Sequence, residues 1–249
     1  MARFILVHGA WHGAWCWSRL ETLLQRQGHS AEAIDLPGVG EAAAALGGIG
    51  LADCARAIVE AIGNEPVWLV GHSLGGAAIA AAAAMRPDRV EALVYVAASA
   101  PLAGESHLQA LGLGPAGAAV PKMIVDAERG VAALSRSDRI AAFYSACPDG
   151  LAGWAADRCA TWQALGPAAE PLPRDPPADL ARFYVQCARD ETIPLETQAA
   201  MSARLALAGC ATLDTDHSPF LSNPAALAEA IAEFEGSLSA TRRARSSPG

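Results

Sequence analysis

The chain has 249 residues and a formal net charge of -8, with 52% hydrophobic and 18% charged residues. That composition is globular and excludes intrinsic disorder. The acidic balance excludes a nucleic-acid binder, which needs a basic stripe to neutralise phosphates; the one basic cluster, Arg242, Arg243 and Arg245, lies in a Ser/Pro/Gly-ended tail.

Along the chain, Phe4 to Val7 reads as a buried strand that ends at His8-Gly9. Ser18 to Gln27 reads as a helix, with Ser18 and Glu21 as a capping box and Gly28 as its left-handed terminator. Ala31 to Asp35 is a second strand, stopped by Pro37-Gly38. Leu51 to Ile62 carries a helical stripe, Val67 to Gly71 is an apolar strand, and Leu74 to Met85 is a helix ended by Pro87. Glu91 to Ala97, Arg182 to Ala188 and Ala211 to Leu213 are further strands. The last helix opens at Asn223-Pro224 and buries Leu227, Ile231 and Phe234.

Strands alternating with helices predict a mostly parallel sheet covered on both faces. Residues 102–179 break the rhythm, with helical patches at Ala127–Leu134 and Arg136–Ala146 and then a Pro-dense stretch. They are expected to form an inserted helical lid over the strand ends, where ligands bind in such sheets. The core is then 1–101 and 180–238, with an unstructured tail over 239–249. The first apolar run is too short for a signal peptide or a membrane span. Six scattered cysteines without CxxC spacing read as small buried hydrophobes. The expectation is a cytoplasmic protein with neither metal nor cofactor and no membrane partner.

The chemistry concentrates in Gly71-His72-Ser73-Leu74-Gly75-Gly76, a G-x-S-x-G turn between a strand and a helix. Such a turn strains its serine, so small residues must flank it; the alternative is a glycine-rich turn in which Ser73 only caps the helix. A serine hydroxyl needs an adjacent base. His217, in the polar loop between the last strand and the last helix, is the best placed. His72 should leave the turn in another direction, His29 should be at the surface, and His107 could touch a substrate. Asp190, just after a strand, would fix the imidazole, in the chain order Ser, Asp, His that accompanies this turn. Glu191 is the alternative acid, while Asp214 and Asp216 should shape the His217 turn. The N–H groups of Leu74 and Ala10 are candidate oxyanion donors. Gly9, Trp11, His12, Trp15, Trp154, Trp162, Ser218 and Phe220 are candidates for a mainly apolar substrate pocket.

These strings resemble one branch of the α/β-hydrolases, the plant methylesterases and hydroxynitrile lyases with their bacterial esterase relatives. The resemblance rests on Phe4 to Trp17, Asp35-Leu-Pro-Gly38, Leu69 to Gly76, Asp190-Glu-Thr-Ile-Pro194, Asp216-His217 and Ser222-Asn-Pro224. It implies the α/β-hydrolase fold, a Ser73–His217–Asp190 triad, an oxyanion hole from Ala10 and Leu74, and a small-molecule ester as substrate. The similar lyases keep a threonine where this chain has Gly9 and a lysine where it has Ser218, which favours ester hydrolysis over cyanohydrin cleavage. A carbon–carbon lyase, a receptor with a vestigial triad and a homodimer, by analogy with dimeric relatives, stay open as alternatives.

Overall fold

A computed structural model describes residues 1–39, 46–113 and 122–246. Residues 114–121 of the expected insertion and the last three of the expected tail lie outside the described residues. In chain order the elements are β1 (Arg3–Val7), a 3-10 turn (Ala14–Trp17), α1 (Ser18–Arg26), β2 (Ser30–Ile34), α2 (Leu51–Ile62), β3 (Val67–His72), α3 (Gly75–Met85) and β4 (Val90–Val96). Then come α4 (His107–Leu111), β5 (Ile124–Asp126), β6 (Val131–Ala133), α5 (Arg136–Phe143), α6 (Asp149–Arg158), β7 (Gln163–Ala164) and α7 (Gly166–Ala169). The chain closes with β8 (Ala181–Cys187), α8 (Leu195–Ser202), β9 (Gly209–Leu213), α9 (Pro219–Ser222) and α10 (Pro224–Ser246).

The central sheet has the order β2-β1-β3-β4-β8-β9, and each neighbouring pair runs parallel. Strand alternation sends Phe4, Leu6, Trp68, Val70, Val94 and Phe183 to one face, where they pack with Trp17, Leu20, Leu24 and with Leu227, Ile231 and Phe234 of α10. The intervening Ile5, Val7, Leu69, Leu93 and Tyr184 pack on the other face with α2 and α3. Both faces are covered, as continuous apolar strands require.

The expected strands and helices of the core recur with ends shifted by a residue or two. The capping box at Ser18 does not form. The 3-10 turn runs straight into α1, so Trp17 occupies the cap position without a side-chain hydrogen bond. Ser18 is already in helical geometry, and the Glu21 carboxylate instead accepts the Ala33 N–H at 3.0 Å. Gly28 does take a left-handed φ of +85°. The expected helix at 127–134 is a correction too. Asp126 accepts the Arg129 N–H and Gly130 turns at φ +64°, making a hairpin between β5 and β6. Residues 102–179 therefore carry a three-stranded sheet, β5-β6-β7, beside their helices. The final helix runs through Ser246, past position 239 where the tail was expected to begin, and Arg242 pairs with Glu91 at 2.6 Å.

The Pro-dense return to β8 is tied down by one buried cation. Arg182 donates to the carbonyls of Pro176, Pro177, Ala178 and Leu180. Five cysteines are buried as expected, but Cys210 on the edge strand β9 is exposed.

Candidate active site

The site lies at the carboxyl ends of the strands. Trp11, Ser73 and Ala97, the non-glycine residues of positive φ among those described, all follow β1, β3 or β4. Backbone strain of this kind collects at functional sites. Ser73 adopts φ +51° in the turn between β3 and α3. The glycines around it are sterically required. A Cβ on Gly71 would meet the Gly75 carbonyl oxygen at 2.7 Å, one on Gly75 the His8 carbonyl oxygen at 2.7 Å, and one on Gly9 the Ser73 Cβ at 2.7 Å.

His217 and Asp190 are brought together. The His217 Nδ1–H donates to Asp190 Oδ2 at 2.7 Å, with both side chains buried. The Asp190 carboxylate also accepts the N–H groups of Thr192 and Ile193, each at 2.8 Å, and the Gln198 amide at 3.3 Å. Hydrogen bonds of this number fix the carboxylate in place. With Nδ1 committed to Asp190, Nε2 is the ring nitrogen of His217 left for another partner. Among the described residues no hydrogen bond joins it to Ser73 Oγ. The His217 ring lies 4.5 Å, centroid to centroid, from that of His72, and His72 Nε2–H donates to the His217 carbonyl at 2.9 Å. The residue preceding Ser73 thus tethers the His217 loop.

Glu191 is exposed. Asp216 shapes the turn as expected, accepting from Ser218 N–H, Ser222 Oγ–H and Ala146 N–H. Asp214 pairs with Arg189. His29 is half-buried and accepts the Ala2 N–H at 3.2 Å.

A cavity of about 90 Å³ opens beside Ser73. Ala10, Trp11, Ser73 and Leu74 line it, and so does His107. No hydrogen bond engages the Ala10 or Leu74 N–H among the described residues. The rest of the wall includes Leu108, Leu111, Met123, Phe143, Gln163, Leu165, Thr192 and Ile193. None carries a permanent charge. Burial, with a smaller contribution from His217, pushes the His107 imidazole down to about 4, and its Nδ1 is 2.8 Å from Ser99 Oγ.

Several expected pocket residues are elsewhere. Gly9 underlies Ser73 without lining the cavity. His12 is buried behind the wall, bonded to the Ala10 carbonyl and the Tyr144 hydroxyl. Phe220 packs on Trp17 and His72. Trp15 meets Trp154 edge-on, and Trp154 is 41% exposed under Arg158. Trp162 packs beside Leu46, Val131 and Ala164. Ser218 is buried with its hydroxyl unpartnered and does not reach the cavity. Aromatic character marked His12, Trp15, Trp154, Trp162 and Phe220, but packing directs them to cores and to the surface. Thr192 and Ile193 belong to the Asp190–Pro194 string but were given no role in the sequence, and no local motif marks Gln163 or Gln198. Among the described residues no group of three or more His, Cys, Asp or Glu side chains could hold a metal ion, and no helix is long and apolar enough to cross a membrane.

A six-stranded parallel sheet with a strained serine between strand and helix defines an α/β-hydrolase, and the alpha/beta hydrolase family model matches residues 4–230. The chain belongs to that family. It is similar to the probable esterase PIR7A of Oryza sativa subsp. indica, 41% identical over 107 residues, which is 41% of each chain. It is likewise similar to methylesterase 7 of Arabidopsis thaliana, 39% identical over 105 residues, 40% of each chain. The matched segments thus span about two fifths of the length of these relatives. Among solved structures it resembles a pyrethroid hydrolase from Sphingobium faniae JZ-2, with a TM-score of 0.82, 24% identity, and 94% and 97% of the two chains covered. A methylesterase from Arabidopsis gives a TM-score of 0.80 at 22% identity, over 95% and 99%. Both likenesses concern the fold.

Proposed function

We propose that the chain is a serine hydrolase of small, uncharged carboxylic esters. Ser73 attacks the ester carbonyl while His217 Nε2 takes its proton, and Asp190 holds the resulting imidazolium. The Ala10 and Leu74 N–H groups receive the oxyanion. His217 then protonates the departing alcohol and activates the water that releases the acid. The observation carrying this reading is the buried 2.7 Å His217–Asp190 bond beside a serine strained to φ +51° at an apolar cavity. On this reading the Ser73–His217 contact tightens in the Michaelis complex, as catalytic hydrogen bonds commonly do.

The cavity wall favours neutral acyl and alcohol groups, since it offers no fixed charge to pair with an ionised substrate. Residues 102–179 serve as the lid that supplies much of it. The chain's esterase-named relatives agree with this chemistry. Ester hydrolysis is favoured over cyanohydrin cleavage by the crowding at Gly9, where a side chain would strike Ser73 and His72. The test is turnover of a p-nitrophenyl ester series by the parent chain and Ser73→Ala. The variant should lose about 10⁴-fold or more in kcat, with mandelonitrile left intact by both. Parent-level turnover by Ser73→Ala would refute the assignment.

A further inference from the structure

The loop that follows β1 is held by the segment 102–179 to a degree that a covering lid does not require. All three polar groups of Trp11 are engaged by it. The Trp11 N–H donates to Gln163 Oε1 at 2.8 Å, its carbonyl accepts the Ala160 N–H at 2.8 Å, and its indole N–H donates to the Ala132 carbonyl at 3.3 Å. Trp11 needs such holding, for its φ is +60°, a region that bulky side chains rarely occupy.

The other end of the same peptide unit is also held. The Ala10 carbonyl accepts His12 Nδ1–H at 2.9 Å, and His12 Nε2 accepts the Tyr144 hydroxyl at 2.8 Å. The planar unit joining Ala10 to Trp11 is therefore fixed at its carbonyl by His12 and at its N–H by Gln163. Two peptide planes meet at the Ala10 Cα. Fixing one limits how far the other, which carries the Ala10 N–H, can turn. The Gly9–Ala10 unit that carries this N–H is held at its own carbonyl by His8 Nδ1–H at 2.8 Å and the His12 N–H at 3.3 Å, and the contacts on the Trp11 side brace the Ala10 Cα from the other direction. Gln163 Nε2 donates to the Ala164 carbonyl at 3.2 Å, which settles the amide end offered to Trp11.

We infer that Gln163 is a positioning residue: it reaches from the inserted segment to lock the Ala10–Trp11 peptide, and so aims the Ala10 N–H at the oxyanion. This rests on the function proposed above. Gln163 also lines the cavity, so a plain substrate contact is the competing role, and the two predict different kinetics. A binding contact shared by ground and transition states acts on KM, whereas aim at the oxyanion acts on kcat.

The experiment compares the full chain with Gln163→Leu, Gln163→Ala and Gln163→Glu. It measures kcat and KM on a p-nitrophenyl ester, inhibition by an alkyl trifluoromethyl ketone, which forms a tetrahedral adduct, and the melting temperature. Gln163→Leu should lower kcat about 10- to 100-fold, the scale of an ångström-level misplacement. Its KM should stay within about threefold and its affinity for the ketone should fall in step with kcat. Gln163→Glu, which keeps an acceptor oxygen at the same reach, should recover at least about fivefold of that loss. If Gln163→Leu does not fold, Gln163→Ala carries the same expectation with a smaller packing change. Parent-level kcat in a folded variant, a loss confined to KM, or equal losses in the leucine and glutamate variants would each overturn the inference. Ser73→Ala run alongside separates the two claims. An active Ser73→Ala protein ends both, while an inactive one beside an unimpaired Gln163→Leu ends only the role of Gln163.

Discussion

Ser73 illustrates how much of the site depends on side chains that are missing. Its positive φ is possible because Gly71, Gly75 and Gly9 leave room for backbone and for the serine itself. Gly9→Ala places a methyl 2.7 Å from the Ser73 Cβ and 2.8 Å from His72 Nδ1, and neither is the end of a flexible chain. It should destabilise the fold by about 1–3 kcal/mol, the usual scale of overpacking, and depress kcat more than KM; urea midpoints and ester kinetics check both. Asp190→Asn keeps the shape but no longer dictates which His217 nitrogen carries the proton. A fall of roughly 10³–10⁴ in kcat with little change in KM is expected on the proposed mechanism. The residues of this group were readable because each follows a recognisable strand or turn. Gln198 was not. It lies on α8, accepts the Cys187 N–H, and donates to the Cys187 and Ile193 carbonyls and to Asp190. Only tertiary folding brings an amide eight residues downstream of Asp190 onto its carboxylate.

Among the elements, α3 is the most constrained. Gly75 through Ala84 is buried on every side, so it runs inside the molecule and not over its surface. Ala83→Leu has no solvent face to occupy and should cost about 1–3 kcal/mol in chemical denaturation. The Ala-rich run after the G-x-S-x-G turn made this helix legible in the sequence. The same alanine signal misled at 127–134, where Asp126 and Gly130 make turn contacts and Val131 and Ala132 are fully buried in a strand. Helix propensity is a weak prior once burial and turn chemistry act together. The inserted segment also braces the core directly: Glu170 accepts the Leu51 N–H at 2.7 Å at the start of α2. Glu170→Ala should lower stability by about 0.5–1 kcal/mol, the exposed-cap range, without touching ester turnover.

The whole molecule buries neutral imidazoles. Burial is the main cause that pushes His12 down to about 3 and His107 down to about 4, and it lowers His8 and His72 as well. Above pH 6.5 these groups are neutral whether the chain is folded or not, and their burial costs no protonation energy. As pH falls below 6.5 the unfolded chain takes up protons that the folded one refuses. Stability should therefore drop by roughly 1 kcal/mol per pH unit for each such histidine, until its folded value is reached. Urea denaturation at pH 8, 7, 6 and 5 should give a plateau and then a decline; a level profile down to pH 5 would contradict the buried neutral state. At this scale the sequence was most informative. Continuous apolar strands alternating with amphipathic helices require a covered parallel sheet, whereas the cavity wall is assembled by a segment whose course no periodicity encodes.

The lone outward thiol on β9 makes the chain its own gauge of integrity. Five of six sulfhydryls are sealed, and burial raises those of Cys54 and Cys147 to about 12, leaving Cys210 in contact with solvent. An aromatic disulfide reagent should release one equivalent of chromophore from intact protein and six after denaturation. The lag before the other five react would then time the opening of the interior without any engineered label.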